Sequence, residues 1–474
     1  MYRLLIIFLA NFYFSHAESL RDQIKILQEA LGKQTFIINQ LEQRIIELEA
    51  RGDQPKSFEE IALDSYLESV EEEAPKDAKV QAPTTPRYLK SGISGLLTMG
   101  SSSERDSALE LLQGGAHNPS KRGFSVRGLE WAMYGAVDPA WDANVHLLIN
   151  HDPREGETIV EIEEAFIQST ALSRRLQAEA GIMNTEFGRF NALHAHQWTF
   201  VDQPLIHNRI FGSEAMRGPG VRLGYMLSSR NHSELHFGVQ NASGGTMASF
   251  QNTGAHAHGA HGEEEGHEEG EENHDEETSL LEPFEGEDFV SSPEDMVYLL
   301  RWAYGWSPSD TDSARFGLSF LRGPGFLPNE FTSIMGVDLT WKKRKLLSSG
   351  KTLDLLFEGE YMQRKADALH DDEAGVVEDR GFYIQGRGYW NQNFGAGLRV
   401  ERAWSASDFD EAATLANHSP RTRISPQLIY RNSEFSQFRL QYNWDDWDFL
   451  RDGKAESIWL SFDFFFGDHP AHTF

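Results

Sequence analysis

From Leu20 the apolar positions advance by alternating steps of four and three: Leu20, Ile24, Leu27, Leu31, Gln34, Ile38, Leu41, Ile45, Leu48. Ile24, Leu31, Ile38 and Ile45 take the a positions of a heptad, and Leu20, Leu27, Leu41 and Leu48 the d positions, with Gln34 as the polar core residue. The spacing predicts an α-helical coiled coil over 18–50, which needs partner helices to bury its seam. Ile at a with Leu at d leans toward two strands, whereas Ile37 and Ile46 widen the stripe, so dimer and trimer both stay open. The competing reading is an amphipathic helix packed on the rest of its own chain. Over 51–88 the composition shifts to Gly52, Pro55, the acidic run Glu71 to Glu73, and Pro75, Pro83 and Pro86, as in an acidic, Pro-rich linker.

Beyond Tyr88 the helical period gives way to alternation of apolar and polar residues in runs of about ten, the length of a tilted bilayer-spanning strand. The runs lie near 91–99, 123–137, 141–151, 158–170, 174–183, 218–228, 233–240, 296–306, 314–321, 332–342, 352–364, 380–391, 393–402, 421–431, 434–444 and 456–466. Connections after even-numbered runs are mostly short, such as Asp138-Pro139 and Asn432-Ser433, and those after odd-numbered runs mostly long. That asymmetry belongs to outer-membrane barrels. The expected fold is an all-β transmembrane barrel of about 16 antiparallel strands, range 14–18, over 89–474, preceded by the coiled coil. An even count puts both chain ends on the periplasmic side.

The ends of the sequence fit export. Residues 1–17 combine Arg3, an apolar core from Leu4 to Phe14 and the small-residue site Ser15-His16-Ala17, so a signal peptide cut before Glu18 is expected. The last run places Ile458, Leu460, Phe462, Phe464 and Phe466 on one face, and the chain ends at Phe474, like the assembly signal of Gram-negative outer-membrane proteins. No apolar run after the N-terminus is long enough to span a bilayer as a helix. Cysteine is absent, which suits an oxidising periplasm. The net charge is -30, and Asn231 to Leu300 carries seventeen acids without a Lys or Arg, so nucleic acid is excluded as a partner.

Within that acidic stretch, 251–288 threads His256, His258, His261, His267 and His274 through fourteen Asp and Glu residues, Glu263, Glu264 and Glu265 among them. Without thiolates, neutral imidazole is the ligand that Zn²⁺, Ni²⁺ and Cu²⁺ favour, and carboxylates add charge and oxygen donors. The Gly/Ala-rich backbone imposes no fixed geometry, so weak, rapidly exchanging sites are expected; the plainer reading is a solvated acidic loop with incidental histidines. The segment follows the seventh run and so falls outside the cell. The Irving–Williams order ranks copper at least as high as zinc, leaving the metal open.

A coiled coil followed by a barrel resembles the porins with an N-terminal helical stalk, including the phosphate-selective porin-like group. The stretches Gly188-Arg189-Phe190-Asn191, His194-Ala195-His196, Val201-Asp202-Gln203-Pro204 and Arg217-Gly218-Pro219-Gly220, with the ending Gly467 to Phe474, are similar to a subgroup of such barrels associated with zinc supply. The resemblance implies a homo-oligomer, a trimer by analogy with porins, and an inward-folded third loop over 184–217 that narrows the channel. That loop carries His194, His196 and His207 as further metal candidates, and Glu186, Arg189, Asp202, Arg209 and Arg217 as constriction residues; the alternative for its histidines is ordinary hydrogen bonding within a folded loop. His469 and His472, near the periplasmic end, are either a release site or part of the sorting signal. A TonB-dependent receptor needs a longer chain and a plug domain, so transport would run downhill through a pore. The expected function is a porin-like channel that captures divalent cations, zinc foremost, on the outer loop and lets them diffuse inward, with outer-membrane lipid around it and no required cofactor. Alternatives are a general or anion-selective porin and a structural stalked barrel. No nucleophile elbow, His-Glu-x-x-His pair or phosphate-binding loop is present, so no enzymatic activity is expected.

Overall fold

The computed structural model describes residues 89–468, apart from 115–116, 152–155, 157, 174, 229–230, 251–291, 328, 347–351, 371–372 and 410–416. The expectations for the signal peptide, coiled coil and linker, for the His/acid-rich segment 251–288, and for His469 and His472 lie outside the described residues.

The alternating pattern becomes sixteen strands: β1 (Lys90–Ser102), β2 (Gly123–Asp138), β3 (Trp141–His151), β4 (Thr158–Ser169), β5 (Leu176–Asn184), β6 (Arg217–Ser228), β7 (Ser233–Asn241), β8 (Met296–Ser309), β9 (Asp312–Pro324), β10 (Phe331–Leu346), β11 (Thr352–His370), β12 (Glu373–Tyr389), β13 (Phe394–Ser407), β14 (Arg421–Ser433), β15 (Ser436–Trp447) and β16 (Lys454–Gly467). Each pairs antiparallel with its sequence neighbours, and β1 pairs with β16 to close the barrel, with Leu97 opposite Phe462 and Ile93 opposite Phe466. Closure leaves no strand edge, which is what lets a sheet cross hydrocarbon.

Side chains alternate as the sequence dictates. Leu300, Leu318, Val337, Leu398, Leu428 and Ile458 stand exposed on the outside, while Arg301, Asp338, Arg399, Gln427 and Ser457 on the same strands point inward and are buried. An apolar exterior over a polar interior is the distribution a lipid-embedded barrel requires. β11 and β12 run well past the predicted ends 364 and 380 and pair along their whole length to His370 and Glu373. This extension lies beyond the apolar band, where no lipid imposes alternation, so the periodicity fades while the ladder continues.

Two short helices sit in odd-strand connections: α1 (Asp106–Leu112) between β1 and β2, and α2 (Leu205–Phe211) between β5 and β6. Pro204 precedes α2 and Gly212, at φ 80°, ends it with a conformation that side chains disfavour. The bore is not empty. Phe187, Phe190, Trp198, Ile206, Ile210, Phe211, Met247 and Phe250 form an apolar cluster packed on Leu299, Leu321, Met362 and Tyr383 of the wall.

A charge on the lipid side should cost in proportion to its depth. Leu318→Arg, near the middle of β9, is expected to destabilise the barrel by roughly 2–4 kcal/mol, and Leu346→Arg, at the strand end, by roughly 0–1. Unfolding of the refolded proteins in lipid vesicles checks this; equal costs at the two sites would contradict the membrane placement.

Candidate metal and constriction site

The connection 185–216 turns into the barrel and crosses the bore, and its polar groups are satisfied from the wall strands. Asn191 ties its two ends, donating to the Thr185 carbonyl at 2.8 Å and the Met216 carbonyl at 3.0 Å while accepting from Met216 N–H at 2.9 Å. On β11, Glu360 accepts the backbone N–H groups of Arg189 and Phe190 at 2.5 and 2.6 Å and faces His207 Nε2 at 2.9 Å. Gly188 makes this approach feasible: its φ is 63°, and a Cβ there would stand 2.5 Å from the Glu360 carboxylate.

The stretch 198–202 lies against arginines of β13 to β15 and of β2. Arg439 donates to the carbonyls of Trp198 and Phe200 at 2.8 and 2.9 Å, Gln427 to that of Thr199 at 3.0 Å, and Arg127 to that of Val201. Asp202 is fully buried and holds Arg399 and Arg423, the latter at 3.0 Å, while Gln441 and Asn443 each donate to it at 2.7 Å. Burial works against its charge, and the guanidinium groups of Arg399 and Arg423 outweigh this, holding the Asp202 carboxyl far below its usual range. Other acids on this wall are likewise matched: Asp445 with Arg421 and Arg423, and Asp463 with Arg439 at 2.7 Å.

The wall formed by β2, β3 and β4 is different. Glu130 accepts from His146 Nδ1 at 2.6 Å and from His196 Nδ1 at 2.5 Å. His194 lies between Glu163 (Nδ1 to Oε2, 3.2 Å) and Glu164 (Nε2 to Oε2, 2.9 Å), with its Nδ1 3.4 Å from Glu130 Oε1. The rings of His146 and His194 stack at 4.3 Å, and His117 Nε2 stands 3.3 Å from Glu163. Two consecutive acids face the lumen because the register between β3 and β4 slips at His146/Leu147: His146 opposes Glu164 and Leu147 opposes Ile162, leaving Glu163 as the extra residue of a bulge. Burial lowers the His194 imidazole, but the carboxylates of Glu130 and Glu163 more than offset this and hold it well above its usual value. Among the described residues, Glu130, His146 and His194 present metal-ligand atoms all within 4.8 Å of one another.

The residues singled out in the sequence thus separate. His194 and His196 join the β2–β4 cluster, whereas His207 sits apart on Glu360. Glu186 pairs with Arg222 at 3.1 Å; Arg189 approaches Glu358 at 3.6 Å; Arg209 donates to the Ser419 carbonyl at 2.6 Å; Arg217 pairs with Glu214 at 2.8 Å and reaches Glu161 at 3.4 Å. The acids and arginines of the loop therefore do not confront each other across a gap; most are partnered by the wall or by near neighbours in the chain. Glu130, His146, Glu163, Glu164 and His117 were missed, although the adjacent acids Glu163-Glu164 inside an alternating run signal the bulge.

No family model matches the chain. A protein of Aquifex aeolicus described as uncharacterized is 31% identical over 106 residues, which are 22% of this chain and 21% of that one, so the chain spans about a fifth of that relative's length. The outer membrane channel DcaP of Acinetobacter baumannii superposes with a TM-score of 0.50 over 80% of this chain and 96% of its own, at 13% identity. An anion-selective porin from Comamonas acidovorans (8% identity, 80% and 100% covered, TM-score 0.47) and OprB of Pseudomonas putida (12%, 80% and 94%, TM-score 0.43) are further likenesses. The chain has the fold of the outer-membrane β-barrels. At these identities the likeness to DcaP extends to the fold alone.

Two outcomes follow from the loop's anchoring. Asp202→Ala takes the shared carboxylate from Arg399 and Arg423, which keep Glu401 and Asp445, so the penalty stays below the roughly 3–5 kcal/mol of a buried charge left wholly unpaired. The loop should come away from β13 to β15, raising single-channel conductance while the barrel stays folded; unchanged conductance would deny Asp202 that role. Burial would raise the Glu186 carboxyl, but Arg222, His236 and Arg301 bring it down to about 2. A depressed folded pKa gives stability that is present above the unfolded value near 4.5 and lost as pH falls toward 2. Thermal unfolding across that window should show a steeper acid loss for the native chain than for Glu186→Gln.

Proposed function

We propose that this protein is a porin-like outer-membrane channel that gathers divalent metal ions, zinc foremost, on its outer His/acid-rich segment 251–288 and lets them diffuse inward through the barrel. The observation that carries this reading is the chemistry of the β2–β4 wall. Glu130, Glu163 and Glu164 are buried or nearly so and take their bonds from imidazoles, a hydroxyl and a backbone amide. Carboxylate next to imidazole, which gives up its proton to a metal, suits a borderline divalent cation, and the carboxylates repel anions.

Two further features support it. The arginines of β13 to β15 are engaged by Asp202, Glu401, Asp445 and Asp463, which leaves them poorly disposed to draw an anion. The connection leading from β7 toward the His-rich segment also packs into the bore: Met247 and Phe250 are buried, Ser249 bonds the Ile210 carbonyl, and Arg364 donates to Ser249 at 3.0 Å. Phe250, the last described residue before the His-rich segment, is thus buried within the apolar cluster of the inward loop.

In planar bilayers under a salt gradient the reversal potential is expected on the cation side, and Glu163→Gln with Glu164→Gln should move it toward zero. Vesicles holding a zinc-responsive dye should fill more slowly when His256, His258, His261, His267 and His274 are all replaced by Asn. A strong anion preference would instead establish an anion-selective porin, and zinc flux indifferent to the five replacements would remove the capture step.

A further inference from the structure

The His194 side chain is carried by the inward loop, whereas Glu130 and His146 belong to wall strands β2 and β3. We infer that Glu130, His146 and His194 form a resident site for a divalent ion of the zinc, cobalt or nickel class, and that the bound ion staples the inward loop to the barrel wall. A permeant ion needs weak sites it can leave quickly. This site is enclosed, with Glu130, His146 and His194 all buried, so an ion here is held rather than passed. The inference goes beyond the transport reading and stands without it.

The geometry is close to what coordination demands. Bonds of about 2.0–2.1 Å in a tetrahedron set neighbouring donors roughly 3.3–3.4 Å apart. Glu130 Oε1 and Glu163 Oε2 lie 3.4 and 3.2 Å from His194 Nδ1, two such edges already in place. The contact of Glu130 with His146 Nδ1 at 2.6 Å is a hydrogen bond and would widen as the ion replaces its proton. Glu163 or water supplies the fourth donor.

The surroundings then act as supports. Glu130 Oε2 stays oriented by His196 Nδ1 at 2.5 Å and by the Ser94 hydroxyl at 3.5 Å, and Glu164 holds the far nitrogen of the His194 ring. Charge points the same way. Three carboxylates converge on the imidazoles within a few ångströms, and where the ring protons of the ligand nitrogens now offset part of that buried negative charge, a divalent ion would take their place. Two imidazoles and a carboxylate favour the borderline metals over Mg²⁺ and Ca²⁺, which prefer all-oxygen shells.

The test uses the full chain, refolded in detergent, with the five outer histidines replaced by Asn to silence the surface segment, and Co²⁺ as a spectroscopic probe. One equivalent should bind with the intense visible band of a tetrahedral, imidazole-containing site, and zinc should displace it. His146→Ala and His194→Ala should each weaken binding by more than the roughly 10–100-fold typical of supporting residues. His236→Gln, on β7 away from the cluster, should leave it unchanged, and heat-modifiable migration on gels verifies that each barrel is folded. Absence of the band, or a folded His146→Ala chain that binds Co²⁺ like its parent, would overturn the site. Zinc flux in vesicles reads the transport reading separately: flux without the band refutes the staple alone, and the band without flux refutes transport alone.

Discussion

Hydrocarbon offers no hydrogen bonds, and this one constraint organises the molecule from the outside inward. A backbone crossing it as strands must close on itself, because an open edge would strand a row of N–H and C=O groups in lipid. The pleat of each strand sets a period of two, and closure turns one of the two faces into the bore, so every second residue points inward. Side chains such as Arg301, Arg399, Asp338 and Asp463 are therefore inside because their neighbours must be outside. Once inside, they need partners, since a buried unpaired charge costs several kcal/mol. Some pair within the wall, as Arg301 does with Asp338 at 2.7 Å, and the rest reach the inward loop.

The loop answers that demand. A chain segment with no regular structure normally stays at a surface because its peptide groups need water. Here the carbonyls of 198–201 find guanidinium and amide groups, and the N–H groups of Arg189, Phe190, Val201 and Leu205 find Glu360, Gln441 and Glu401. Polar ties of this kind specify direction and register. The apolar cluster of Phe187, Phe190, Trp198 and Phe211 then fills the space between them, with ring pairs such as Phe190–Trp198 at 5.1 Å, and adds non-directional burial. Polar anchors set the position and aromatic packing excludes water around them, which strengthens the same anchors.

What could be read from the sequence follows the same physics. All sixteen strands were visible, because lipid enforces alternation wherever a strand crosses it. The hairpin extension of β11 and β12 was not, because beyond the membrane nothing enforces it. The inward course of 184–217 came from a resemblance, and its three histidines read as one group. Their separation depends on where Gly188, Asn191 and Asp202 fasten the loop, which is a property of the wall residues they meet across more than a hundred positions of sequence. Glu130 and His146 were indistinguishable from ordinary lumen lining, since a strand pattern says which face a residue takes and nothing about what faces it. The pair Glu163-Glu164 was legible in principle. Two neighbouring acids cannot both point inward along a regular strand, so within the lipid band either one meets hydrocarbon or the strand bulges, and only the second is affordable.

The two sides of the loop are held by chemically different bonds. Guanidinium groups keep their charge across the whole biological pH range, so the fastening of Asp202 to Arg399 and Arg423 is insensitive to pH, metal and redox state. Imidazole bonds to Glu130, Glu163 and Glu164 are exchangeable, because each imidazole can hold a proton or a metal ion and the carboxylates accept either arrangement. One edge of the loop is thus permanent and the other conditional. A segment pinned along one side and tunable along the other can change its seating without leaving the barrel. The exchangeable edge, built from His194 and His196 on Glu130, Glu163 and Glu164, ties any such change to the cations that reach the bore.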